Sequence, residues 1–361
     1  MKINNSAKRP AAEPLIVMEY QENNEKPAVT RKEPIDLRKI ISDISGLSEA
    51  EEIIRSSLIS EAELLCEVPS YLFKLGGKRI RPVLTLLVAR ALKINTPPRP
   101  LLEVSAGIEL IHMATLLHDD IIDNSKKRRN SESPYKRYGL ASTLLSGDFL
   151  LVRAFSLCAN LDKEIIAATE KACVELTEGE ILETPLFSEQ HSLESYLTIA
   201  RKKTASLFRL AAFSGAHLST GNQNLVRLFS EFGEQIGIAF QMLDDILDVV
   251  SDENLLGKER GIDLQESKPS LVNVLWLNSG DPLATELLKK PDQRPANFKE
   301  LAIAAIENSR VIEQARRYAL DYADRASKTI EKISERYSEE TEAAELFKLL
   351  ALVNFTVSRL N

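Results

Sequence analysis

From Ile35 to the C-terminus, apolar residues recur three and four positions apart, the spacing of one helix face, and never alternate in the β-branched manner of a strand. Glycine is scarce, 14 residues in 361, or about 4% where roughly 7% is usual, so left-handed turns are few and long helices are favoured. Breaks in the pattern fall near 76–77, 95–100, 131–134, 184–185, 251–264, 278–282 and 291–295. At roughly 150 residues per domain the length suggests two or three domains. No shift of composition divides residues 37–361, however, and no repeat of solenoid period appears. The expectation is therefore one large all-α domain over 37–361. It closes with an amphipathic helix over 341–360, and its least patterned stretch is 270–297, where Trp276 serves as a packing anchor.

Residues 1–36 are rich in Asn, Lys, Glu, Pro and Ala and read as a disordered tail. Their apolar patch at 15–18 is too short for a secretory segment, and Glu13, Glu19, Glu22 and Glu25 spoil an acid-poor transit peptide. No run of about 18 uncharged apolar residues is present, so no integral membrane segment is expected. Three scattered cysteines, Cys66, Cys158 and Cys173, give neither a disulfide framework nor a thiolate metal site. A reducing, cytoplasmic location is expected. The net charge of −7 argues against nucleic acid as a partner.

Two acidic clusters carry the chemistry. His118-Asp119-Asp120-Ile121-Ile122-Asp123 ends a long apolar helical segment, and Asp244-Asp245-Ile246-Leu247-Asp248 ends another with the same spacing. At 100° per residue, Asp119 and Asp123 share a face, with His112 two turns earlier on the same stripe. Gln241 stands one turn before the second cluster. Carboxylates stacked at i and i+4 repel each other and call for a cation. Hard oxygen ligands on rigid helices suit Mg²⁺, whose remaining positions are filled by water and substrate phosphate. One such cluster reads as a solvated acidic face; two with one spacing do not.

Cations flank both clusters. Gly76-Gly77-Lys78-Arg79-Ile80-Arg81-Pro82 sets three of them at a turn that opens a helix, and Arg128-Arg129 follows the first cluster. Lys202-Lys203-Thr204 interrupts another apolar segment, and Lys258 and Lys268 flank the loop after the second cluster. Guanidinium forks and lysine ammonium groups beside metal-type carboxylates suggest a diphosphate ligand. The phosphate-loop pattern GxxxxGK[ST] is absent from the sequence.

The motifs GGKRIRP (76–82), HDDIID followed by the Arg pair (118–129), GDFLL (147–151), KTASLF (203–208) and FGEQIGIAFQMLDDILD (232–248) resemble the trans-isoprenyl diphosphate synthases, or polyprenyl synthetases, over residues 37–361. The resemblance implies an all-α fold around a deep central cavity, usually a homodimer, with several Mg²⁺ per site. It implies that Asp119, Asp120 and Asp123, and Asp244, Asp245 and Asp248, hold the metal. Lys78, Arg81, His112 and Arg129 would bind isopentenyl diphosphate. Arg128, Lys203, Thr204, Gln241 and Lys258 would contact the allylic diphosphate, and Lys268 matches a second loop lysine. Phe240, with the Thr204 and Gln241 oxygens, would stabilise an allylic cation. The implied reaction is condensation of the two diphosphates.

In the family a bulky aromatic residue four or five positions before the first aspartate floors the cavity of short-chain enzymes; here Thr115 and Ala114 are small. A medium-to-long polyprenyl product is expected, with geranylgeranyl or farnesyl diphosphate as alternatives if another helix supplies the floor. A regulatory subunit of a heteromeric synthase and a terpene cyclase are disfavoured, because both aspartate clusters and the isopentenyl-binding set are intact. Three departures stand out: Asn130 where Gly usually follows the Arg pair, which is expected to stiffen that loop, Glu183 where Gln is common, and a weak match after Lys268-Pro269.

Overall fold

A computed structural model describes residues 43–187, 191–251 and 260–358. The tail expected at 1–36 and the side chain of Lys258 lie outside the described residues. Fifteen α-helices occur among those residues. They are α1 (Leu47–Ser57), α2 (Glu63–Lys74), α3 (Ile80–Ala91), α4 (Arg99–Ile122), α5 (Pro134–Cys158) and α6 (Lys163–Leu182). Then come α7 (Leu193–Ile199), α8 (Ser206–His217), α9 (Gln223–Val250), α10 (Ile262–Glu266) and α11 (Leu271–Asn278). The last four are α12 (Pro282–Lys289), α13 (Phe298–Glu307), α14 (Val311–Arg336) and α15 (Ala343–Ser358). The all-α expectation holds. Its exception is a two-stranded hairpin of β1 (Lys127–Arg128) and β2 (Ser131–Glu132).

The helices begin where side chains can take up free backbone N–H groups. Ser133 accepts from Lys136 N, Asp162 from Ile165 N, Asn222 from Leu225 N and Ser270 from Asn273 N, capping α5, α6, α9 and α11. Long α9 is the spine. Its first half packs in an apolar cluster with α1–α6 and α8, and its second half in a cluster with α7 and α10–α14. The stretch 270–297, weakly patterned in sequence, breaks into α11, α12 and a 3₁₀ turn at Pro291–Gln293. Trp276 is fully buried there, its indole N–H donating to Asp281 Oδ2 at 2.8 Å.

Among the described residues two helices, α4 and α5, are long and apolar enough by composition to cross a membrane, although neither contains a charge-free run of about 18 residues. In α4 the apolar window is 67% buried, as in a core helix, whereas in α5 it is only 28% buried. Leu140, Leu144, Leu145, Val152 and Phe155 of α5 are exposed, as are Ile166, Val174 and Ile181 of neighbouring α6. That outer face is too apolar to be ordinary surface.

Candidate active site

A cavity of about 810 Å³ opens between α3, α4, α6, α8 and α9. On α4, His112, Thr115, Leu116 and Asp119 line it at i, i+3, i+4 and i+7, one helical stripe. On α9, Phe240, Gln241 and Asp244 line the facing wall. The two acidic clusters, 125 positions apart in sequence, thus lie toward the ends of helices that border one cavity.

The cationic wall is built by strained local structure. Gly76 and Gly77 have φ of 86° and 151°, and Arg79 itself adopts a left-handed φ of 49° immediately before α3. Buried Arg79 is pinned by Glu109 Oε1 at 3.0 Å, by Glu51 at 3.3 Å and by the Phe73 ring beneath its guanidinium. This fixes the loop so that Lys78 and Arg81 reach the cavity. Arg129 joins them from the hairpin, where it and Asn130 have φ of 51° and 63°. Two consecutive left-handed residues make a primed hairpin turn, which Asn accommodates much as Gly does. Asn130 therefore serves the turn. Burial lowers the Arg81 pKa to about 10, while Glu109 and Asp244 oppose the shift. His112 is held well below its ordinary range, first by burial and then by Arg81 and Arg129, so its ring is neutral.

Opposite stands a π-helical turn, Ala200–Ala205, between α7 and α8. Such turns frequently sit at functional sites because they re-aim side chains. Here the turn carries Lys203 and Thr204 to the cavity. Close packing on both sides holds it: a Cβ on Gly179 of α6 would lie 2.5 Å from Lys203 N, and one on Gly237 of α9 would lie 2.7 Å from Ala205 Cα. The Thr204 hydroxyl donates to Gln241 Oε1, and Gln241 Nε2 donates to Asp245 Oδ1 at 2.7 Å, locking both against the Phe240 wall. Phe208 and Phe240 pack with ring centroids 5.4 Å apart.

The remaining predicted residues occupy a second layer. Asp120 is fully buried and bound by Arg128 at 2.7 Å, with its Oδ2 accepting no hydrogen bond among the described residues. Asp123 caps the end of α4 and pairs with Lys268 at 2.8 Å. Asp245 and Lys268 line an adjoining cavity of about 110 Å³ together with Glu183 and Tyr196. Asp245 Oδ2 accepts from Leu271 N at 2.8 Å, and buried Asp248 accepts from Asp263 N at 3.1 Å, tying α9 to the segment that follows it. Ala114 departs from expectation. It is fully buried in the packed core and does not line the cavity; Thr115, rotated 100° around α4, does. The sequence marks Arg79 only as one of the cations at the turn and gives Glu109 no role, although a glutamate one turn before His112 in an apolar helix was a visible signal.

Burial raises the Asp119 pKa to about 7 against the pull of Lys203, and raises Asp245 to about 6. Carboxyls so placed need more positive charge than the chain supplies in order to stay ionised. An all-oxygen donor set of this kind fits a hard divalent cation such as Mg²⁺.

The polyprenyl synthetase family model matches residues 62–306. The chain belongs to the polyprenyl synthetase family. It is 31% identical over 308 residues to the geranylgeranyl diphosphate synthase of Methanosarcina mazei, covering 83% of this chain and 91% of that protein. It is likewise 31% identical over 288 residues to the octaprenyl diphosphate synthase of Escherichia coli, covering 79% and 88%. The structure is similar to a polyprenyl synthase from Caulobacter crescentus complexed with calcium and isoprenyl diphosphate. The TM-score is 0.82 at 27% identity, covering 91% of this chain and 99% of that one. This synthetase is thus a prenyl-transferring enzyme with the all-α fold of its relatives.

Proposed function

We propose that this enzyme joins isopentenyl diphosphate to an allylic diphosphate and elongates it to a medium-to-long trans-polyprenyl diphosphate. The observation that carries the reading is one cavity with a carboxylate on two facing helices, a cationic wall on one side and an aromatic wall on the other. Lys78, Arg81, Arg129 and neutral His112 share one end of it and suit the diphosphate of the isopentenyl substrate. Lys203, Thr204 and Gln241, with Arg128, Lys268 and Lys258 as further candidates, serve the allylic substrate.

Asp119, Asp120, Asp123, Asp244, Asp245 and Asp248 would hold Mg²⁺. When bound, the metal neutralises the departing diphosphate and so eases ionisation of the allylic C–O bond. The chain's own groups do the rest. Lys203 places positive charge at the leaving oxygen, and the C–O electron pair departs with the diphosphate. Phe240 and the Thr204 and Gln241 oxygens face the resulting allylic cation, to which the isopentenyl double bond adds. A proton is then lost to the released diphosphate, restoring a double bond. Leu116, Leu176, Phe208 and Phe240 exclude the water that would quench the cation.

Relatives of equal identity make geranylgeranyl and octaprenyl products, so chain length is argued from the cavity. Small Thr115 on its wall leaves room for a growing chain. The apolar faces of α5 and α6 support a homodimer, in which a second copy covers Val152, Phe155 and Val174. Residues 37–361 are read as a single helical domain in a reducing, cytoplasmic setting. The test is incubation of purified enzyme with isopentenyl and farnesyl diphosphates and Mg²⁺, with products read by mass spectrometry. Elongation beyond C20 is the expected result. No elongated product contradicts the function, and arrest at C20 contradicts the open cavity.

A further inference from the structure

Glu183, one of the departures from the family pattern, lies inside the site. It is the residue at which α6 ends, and its Oε2 stands 2.5 Å from Lys203 Nζ and 3.9 Å from Lys268 Nζ. One carboxylate oxygen therefore bridges two cations. All three side chains line the small cavity that adjoins the main one, and Lys203 lines both. Neither lysine depends on Glu183 for its position. Lys203 also meets Glu180 at 2.8 Å, while Lys268 meets Asp123 at 2.8 Å and Glu266 at 3.0 Å.

We propose that Glu183 weakens the grip of the site on allylic diphosphates by screening Lys203 and Lys268, and so sets how readily an elongated product is released. The inference rests on the reading of the reaction given above. Its physical basis is that the product of each condensation keeps the isopentenyl diphosphate, is itself an allylic diphosphate, and must move onto these same lysines before the next condensation. A negative charge held against those lysines opposes a polyanion at that place. Replacing it by a neutral isostere leaves the lysines held by their other carboxylates and adds one net positive charge a few ångströms from the phosphate. At an effective dielectric near 20 and a separation of about 6 Å, that change strengthens binding on the order of 100-fold. Where release competes with the next condensation, a tighter grip also gives longer products.

Calorimetric titration with farnesyl diphosphate and Mg²⁺, together with steady-state kinetics, tests this on the wild type, Glu183→Gln and Glu183→Asp. For Glu183→Gln, the Kd for farnesyl diphosphate falls on the order of 100-fold and the multiple-turnover rate drops relative to a single turnover. The KM for isopentenyl diphosphate shifts by less than about twofold, since Lys78, Arg81 and Arg129 are untouched. The Asp variant keeps the charge and stays near wild-type affinity, which a purely packing role for Glu183 would not give. An unchanged or raised Kd in Glu183→Gln, or equal shifts in both substrates, overturns the inference. Failure of the underlying function looks different: the wild type itself then neither binds farnesyl diphosphate nor elongates it.

Discussion

Gly179→Ala is the sharpest probe of how the site is held together. The added Cβ would lie 2.5 Å from Lys203 N, 2.9 Å from Lys203 Cα and 3.0 Å from the Lys202 carbonyl carbon, all backbone atoms with no rotamer to yield. Ordinary contact requires α6 and the π-helical turn to separate by roughly 1 Å. The strain costs about 1–3 kcal/mol, and the better helix propensity of Ala returns up to about 1 kcal/mol. The net loss is therefore about 0–2 kcal/mol, a fall in Tm of at most roughly 4 °C for a chain of this size. Catalysis suffers more. Lys203 and Thr204 ride on the displaced turn, and a misplacement of about 1 Å at a reacting group can lower the rate about 100-fold, or about 2.7 kcal/mol of barrier. The assay is kcat/KM for the allylic substrate beside a thermal melt, with Gly221→Ala as control because a Cβ there meets nothing within 4 Å. Near-native turnover in a well-folded Gly179→Ala enzyme would refute the argument that close backbone packing aims Lys203.

Four further outcomes follow from the geometry. Thr115→Phe projects into the cavity and shifts products to shorter chains with little change in Tm. Ala114→Phe overpacks the core and costs about 1–3 kcal/mol without a comparable product shift; mass spectrometry and melting separate the two. On the proposal that a second copy covers the apolar α5 face, Val152→Asp with Phe155→Glu places charge there and gives a monomer where the wild type gives a dimer in light-scattering chromatography; a wild-type mass for the variant would show that this face is not the interface. Trp276, the sole tryptophan, emits in the blue and resists acrylamide until global unfolding, and Trp276→Ala destabilises by about 3–5 kcal/mol.

Much of the site was legible because a helix fixes angular position without help from the rest of the fold. His112 and Asp119, and Gln241 and Asp244, share cavity-facing stripes as their spacing requires. What needed the structure were the features set by packing between distant segments. Whether Ala114 or Thr115 faces the cavity depends on how α4 is rotated against α5, and one residue of rotation is 100°. Lys202-Lys203-Thr204 read as an interruption, but its π-helical form depends on Gly179 and Gly237 approaching from two other helices. The Glu109–Arg79 and Glu183–Lys203 pairs join residues 30 and 20 positions apart, and no local pattern announces them.

The central claim is that the two acidic clusters, on facing helices, act on one substrate. It is tested most directly by the single-turnover rates of Asp119→Ala, Asp244→Ala and the double variant. If the clusters work as a unit, each single variant loses about 10²–10³-fold or more. The double variant is then far less impaired than the product of the two losses. Wild-type turnover in either single variant, or losses that multiply fully, would contradict the account.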